Sequence, residues 1–216
     1  MRFLCLHGGS TSGEIFEIQS GGLVQSLEAA GHSFHYINGR LNSDCEPELR
    51  GIVPPPFFNH YPRDIAPGED LIKAIEYTLR MIDREGPFDA VMGFSQGAAL
   101  AYSMILHHAE KNGPSAPPLF EAAVFICAGS PYELSGRTTA TMPESGGFPV
   151  TIPTAHIVGK LDSLYAQGMK LYGLCEPSKS EIYDHGSKHT IPFDAKNNDA
   201  MVGVIERVIE RAAKEN

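Results

Sequence analysis

The chain is poor in basic residues: 17 Lys and Arg stand against 26 Asp and Glu, giving a formal net charge of −9. Nucleic acids and anionic membranes are recognised through clustered cations, so neither is an expected partner. Cysteine is scarce as well, limited to Cys5, Cys45, Cys127 and Cys175 with no C-x-x-C pair. Cys5 and Cys127 fall inside apolar strand patterns, where reduced core thiols are common, and no disulfide framework is expected. Long apolar runs are missing: none approaches the roughly twenty residues of a membrane span. Met1 to Leu6 also reaches His7-Gly8-Gly9 too soon for a signal-peptide core, so the cytoplasm is the expected compartment. H-E-x-x-H, a Cys/His cluster, G-x-G-x-x-G and a P-loop ending are all lacking, so neither a metal centre nor another cofactor is expected.

What is present is apolar enough for a substantial core, 42% of 216 residues, and the length suits a single α/β domain over residues 1–216. Its organising stretch is Phe88-Asp89-Ala90-Val91-Met92-Gly93-Phe94-Ser95-Gln96-Gly97-Ala98-Ala99-Leu100, an apolar strand pattern running into a helix pattern with Ser95 at the corner. A serine hydroxyl is a weak nucleophile at neutral pH and must be lifted from the backbone beside a base. A sharp strand-to-helix turn does this, and it leaves no room for side chains two residues either side of the serine, the places taken by Gly93 and Gly97. The same turn leaves the first helical amides unpaired, so the Gln96 N–H is a candidate oxyanion donor. Gly-x-Ser-x-Gly can arise by chance in a chain with 22 glycines. The strand before it and the small-residue helix start after it favour the nucleophile.

Taken in order, residues 2–6 form a strand pattern, and the glycine-rich loop His7 to Gly13 leads into a helix over about 14–30. In an open parallel sheet such a loop faces the crevice at the carboxyl ends of the strands. Gly9 or Ser10 is therefore a candidate second oxyanion donor; a plain connector is the alternative. Ser33–Ile37 is a second strand. About thirty residues without a clear period follow, with Glu46-Pro47, Pro54-Pro55-Pro56-Phe57-Phe58 and His60-Tyr61-Pro62. Loops of that length are functional or disordered, and prolines with aromatics suit a semi-rigid lid. Phe57, Phe58 and Tyr61 are candidate walls of an acyl pocket, or else they cover the sheet edge. A helix over about 69–85 precedes the serine strand, and the helix after Ser95 is expected to stop at Gly113-Pro114. Strand patterns recur at Ala122–Cys127, Thr154–Val158 and Ser180–Asp184, with a loop over 130–153 and a last helix over about 197–214. This alternation predicts three layers around a mainly parallel sheet of about six strands.

The α/β-hydrolase order is Ser, then Asp or Glu, then His. Asp162 lies just past one strand and His189 just past the next, so His189 is the expected base and Asp162 the residue that orients it. Asp184 and His185 are their nearest rivals. The flexible Gly186-Ser187 stretch and the anchoring Ile191-Pro192 favour His189. His7 suits a backbone hydrogen bond better than chemistry.

On His7-Gly8, Ile15-Phe16-Glu17-Ile18-Gln19, Gly93-Phe94-Ser95-Gln96-Gly97-Ala98-Ala99, Asp162 and His189-x-Ile191-Pro192, the chain resembles the small fungal serine hydrolase family over nearly its whole length. The resemblance implies an α/β-hydrolase fold without a large cap, with nucleophile Ser95, acid Asp162 and base His189. Its Ile-Phe-Glu-x-Gln run is similar to the thioesterase and esterase branch found in polyketide gene clusters. Where the family often has Gly-Gly before the histidine, this chain has Ser187-Lys188. The expected activity is cofactor-independent cleavage of an acyl thioester or ester through an acyl-enzyme. The resemblance makes an acyl carrier domain of a polyketide synthase a candidate partner beside the small-molecule substrate. A binding module on the same fold and an acyltransferase are the alternatives.

Overall fold

A computed structural model describes residues 1–45, 51–113, 115–144 and 146–215. Glu46-Pro47 of the long loop and Pro114 of the expected helix stop lie outside them. Six strands form one sheet: β1 (Arg2–Leu6), β2 (Ser33–Ile37), β5 (Ala90–Phe94), β6 (Ala122–Ile126), β7 (Thr154–Val158) and β8 (Ser180–Asp184). Their order is β2-β1-β5-β6-β7-β8 and every pairing is parallel. The helices are α1 (Gly13–Ala29), α2 (Glu69–Glu85), α3 (Gln96–Asn112), α4 (Tyr165–Gly173) and α5 (Ala195–Glu215).

Strands covered on both faces must be apolar on both, and β5, β6 and β7 are buried at every residue. Alternation sorts their side chains into two cores. Leu4, Leu6, Val91 and Phe125 pack with Leu71 and Ile75 of α2 and with Leu100 and Met104 of α3. Phe3, Cys5, Met92 and Val124 pack on the other face with Phe16 and Leu23 of α1 and with Met201, Ile205 and Val208 of α5. These contacts make the three layers of an α/β hydrolase. Among the described residues no helix is long and apolar enough to cross a membrane.

Two elements depart from expectation. The long loop after β2 holds a small antiparallel pair, β3 (Leu41–Ser43) with β4 (Phe57–Asn59). Residues 165–173 form α4, which buries little beyond Gly168 and Leu171. Elsewhere local signals hold: Ser12 caps α1 by accepting the Ile15 amide at 3.2 Å, and Gly113, at φ 80°, ends α3 with its N–H on Ala109 O.

The chain leaves β1 toward β2 on one side, while β5 leads to β6 on the other. The loops after β1 and β5 therefore diverge between two adjacent strands, the switch point where open α/β sheets bind ligands.

Candidate active site

Ser95 occupies this switch point with φ 53° and ψ −113°, a strained conformation for a residue with a side chain. Its backbone is pinned, the N–H donating to Ile126 O at 2.9 Å and the carbonyl accepting from Gly129 at 3.0 Å. The flanking glycines are required by contact: a Cβ on Gly93 would sit 2.5 Å from Ala98 N, and one on Gly97 2.1 Å from Leu6 O.

Gln96 is the first residue of α3, so its amide has no acceptor within the helix. Its side chain clamps the segment after β4, accepting from the His60 amide at 2.8 Å and donating to Tyr61 O at 2.9 Å. The loop after β1 lies against the same elbow, where a Cβ on Gly8 would come within 3.4 Å of Ser95 Cβ. Two buried histidines hold this loop. His7 Nε2 accepts the Gly39 amide at 2.8 Å, so Nδ1 carries the proton that faces Gly8 O at 2.5 Å. His60 stacks on His7 at 4.5 Å between centroids and donates to its carbonyl. Burial pushes His7 down to about 4 and His60 well below the ordinary histidine value, so both are neutral.

Past β7 and β8 two loops meet. His189 Nδ1 donates to Asp162 Oδ2 at 2.7 Å, and the Leu164 amide donates to Oδ1 at 2.8 Å. The Asp162 side chain is 1% exposed and that of His189 32%. Burial alone would raise the Asp162 carboxyl. The hydrogen bond from His189, the Leu164 amide and the histidine's charge outweigh it and bring the carboxyl below its usual range. With Nδ1 engaged, Nε2 is the ring nitrogen left for a second partner, and the ring rests on Phe94 at 4.9 Å between centroids. The loops are stitched together by the Leu161 amide on Ser187 O at 3.0 Å. Gly159 permits that approach, because a Cβ there would meet Ser187 O at 2.4 Å and Lys188 O at 2.8 Å.

Ser95, His189, Gln96 and Gly9 all border one cavity of about 690 Å³. That is ample for a small-molecule substrate. Tyr61, Tyr132, Leu164, Ile65 and Phe193 supply apolar wall. The rivals face elsewhere. Asp184 Oδ1 accepts the amides of Lys160 and Gly186 at 2.9 and 2.8 Å, closing its own turn. His185 Nδ1 accepts the Ser187 amide at 3.2 Å, and neither residue is among the described residues lining the cavity.

Three expected positions differ. Phe57 and Phe58 are not among the described residues lining the cavity. They lie on β4, whose Phe58 amide pairs with Thr11 O at 2.6 Å, so this strand braces the loop after β1. Ser10 is also outside the lining, and its amide is taken by Asn59 Oδ1 at 2.7 Å. Of the two candidate amides in that loop, only that of Gly9 belongs to a residue bordering the cavity.

Sequence reasoning missed Tyr132 and Phe193. Phe193 was findable as an apolar residue just past the histidine; Tyr132 carried no such mark. The Cys127 thiol, an Asp162 oxygen and a His189 nitrogen lie within 4.8 Å of one another. Burial first, then the Asp162 charge, pushes the thiol well up, so in this setting it is protonated.

A parallel sheet with a strained serine at its switch point and an Asp–His pair across the cavity defines an α/β-hydrolase enzyme. The family model for serine hydrolase (FSH1) matches residues 1–201, and the chain belongs to that family. It is therefore an enzyme and not a mere binding module. It is 34% identical to the esterase FPY3 of Fusarium mangiferae, over 98% of each chain. It is 28% identical to the hydrolase phiM of Talaromyces stipitatus, over 96% of this chain and 87% of that one. Among solved structures, Zea mays acyl-protein thioesterase 2 superposes with a TM-score of 0.61 at 20% identity, covering 96% of this chain and 93% of that one. Arabidopsis thaliana SOBER1 gives 0.61 at 17% identity, covering 97% and 99%. At these identities the two structures speak for the fold alone.

Proposed function

We propose that the enzyme hydrolyses a carboxylic ester or acyl thioester of a secondary metabolite, with Ser95 as nucleophile, His189 as general base and Asp162 as the group that orients it. The observation that carries this reading is the Asp162–His189 hydrogen bond, 2.7 Å long, on the cavity that Ser95 also borders. His189 Nε2 takes the Ser95 proton as Oγ attacks the substrate carbonyl. The tetrahedral oxyanion is met by the amides of Gln96 and Gly9. As it collapses, His189 returns the proton to the leaving alcohol or thiol and an acyl-enzyme remains. Water, deprotonated by the same histidine, then releases the acid. Asp162, kept ionised below the usual carboxylate range, holds the tautomer and stabilises the imidazolium.

The names of the relatives, an esterase and a hydrolase from fungi, support ester cleavage. A free small molecule fits the cavity, and a thioester presented by an acyl carrier domain would react by the same steps. The test is labelling by a fluorophosphonate together with turnover of p-nitrophenyl esters and acyl thioesters. Ser95 is expected to carry the label and Ser95→Ala to lose both labelling and turnover; a folded wild-type protein that does neither refutes the mechanism.

A further inference from the structure

The Gly9 amide is one end of the Gly8–Gly9 peptide, and the other end of that peptide, Gly8 O, is held by two donors. Thr11 Oγ1 donates to it at 2.8 Å and His7 Nδ1 at 2.5 Å. Thr11 Oγ1 also lies 3.2 Å from His7 Nδ1, so hydroxyl and ring form one buried donor pair. The Thr11 backbone is fixed in turn, its carbonyl accepting the Phe58 amide at 2.6 Å. The Gly9 N–H donates to no acceptor among the described residues, and Gly9 borders the cavity.

A trans peptide is planar, with its C=O and N–H pointing opposite ways. Holding Gly8 O against Thr11 and His7 therefore sends the Gly9 N–H away from both. Glycine on either side makes such a peptide easy to rotate, since neither residue has a Cβ to bar other backbone angles. Two donors on one carbonyl resist that rotation better than one, and they polarise the N–H at the far end of the same group. We infer that Thr11 is a positioning residue for the reaction: its hydroxyl, with His7, locks the Gly8–Gly9 peptide so that the Gly9 N–H meets the oxyanion. It works through the peptide and not on the substrate. This rests on the ester-cleaving reading and adds to it the side chain that sets the second oxyanion donor.

The test removes the hydroxyl and keeps the shape of the side chain. Thr11→Val is expected to lower kcat for p-nitrophenyl butyrate by about 10- to 100-fold, short of losing an oxyanion donor outright, with KM within about twofold. Thr11→Ser, which keeps the donor, is expected to stay within about threefold of wild type. A trifluoromethyl ketone supplies the readout that a merely structural role would not move. Ser95 Oγ adds to its carbonyl, His189 takes the proton, and the adduct carries the oxyanion. In Thr11→Val its Ki is expected to rise by the factor by which kcat/KM falls, while the Kd of the intact ester is the same in Ser95→Ala with and without Thr11→Val. If Thr11→Val does not fold, Thr11→Ala against Thr11→Ser repeats the comparison on a pair that differs by the hydroxyl alone. In an active wild type, unchanged kcat/KM without the hydroxyl, a Thr11→Ser loss as large as that of Thr11→Val, or a loss carried wholly by the ester Kd overturns the assignment. A folded wild type that neither turns over esters nor takes a fluorophosphonate label overturns the ester-cleaving reading and this assignment with it.

Discussion

Gln96 grips the backbone at Tyr61: its Nε2 donates to the Tyr61 carbonyl at 2.9 Å while its Oε1 accepts the neighbouring His60 amide at 2.8 Å. The residue after Ser95 thus fixes the segment that walls the cavity through Tyr61.

Gln96→Ala leaves two buried backbone groups unpaired. It is expected to destabilise the fold by about 2–4 kcal/mol and to raise KM more than it lowers kcat, since the backbone amide of residue 96 stays in place. Urea denaturation and ester kinetics on the purified variant check both effects.

The assignment of acid and base is tested by paired substitutions. His189→Ala and Asp162→Asn are each expected to reduce kcat by about 10³–10⁴. His185→Ala and Asp184→Asn, whose side chains serve their own turn, should stay within about tenfold of wild type. A reversed pattern in p-nitrophenyl ester turnover would relocate the base.

Gly159→Ala places a Cβ against the backbone oxygens of Ser187 and Lys188. Those atoms cannot swing aside like a side chain, so the loop carrying His189 must shift. A displacement of about 1 Å is expected to lower kcat by about 10²-fold with a stability loss of about 1–3 kcal/mol. Stopped assays and thermal melts of the variant separate the two.

Acid sensitivity follows from the buried histidines. His156 is buried, and burial pushes it down to about 3; His7 goes to about 4 for the same first reason. Both folded values lie below the unfolded value of about 6.5. The unfolded chain therefore binds more protons, and the stability contributed by each neutral ring is complete above that pH and lost as pH falls toward the folded value. Between pH 7 and 5 each is expected to account for about 2 kcal/mol of lost stability. His156→Phe, placed between Phe125 and Tyr172, should flatten the pH dependence of the urea midpoint over that window.

Much of this was legible because it is local. The Gly93–Gly97 elbow, the sheet strands and the face of α5 are set by residues a few positions apart, and the pattern survives without knowledge of the fold. The choice of Asp162 and His189 came from their places after successive strands, which the parallel register turns into proximity. Phe57 and Phe58 stay open in the sequence between pocket wall and sheet-edge cover because composition does not say which way a loop residue points, and here they lie on the strand whose Phe58 bridges to Thr11. Helix α4 escaped notice since nine residues with Gly168 and Gly173 among them offer almost no apolar period. Gly159 was invisible for a different reason: its smallness matters only against a carbonyl 28 positions later in the chain.

The Leu161–Ser187 stitch makes the aspartate and histidine loops a single arch over the sheet, while Ser95 belongs to a separate, rigid corner. In the proposed mechanism, a displacement of this arch changes the distance between the Ser95 hydroxyl and the His189 imidazole and leaves the imidazole on its carboxylate partner. On that proposal His189 keeps one tautomer through its bond to Asp162, and reactivity is set by how closely the arch settles on the corner.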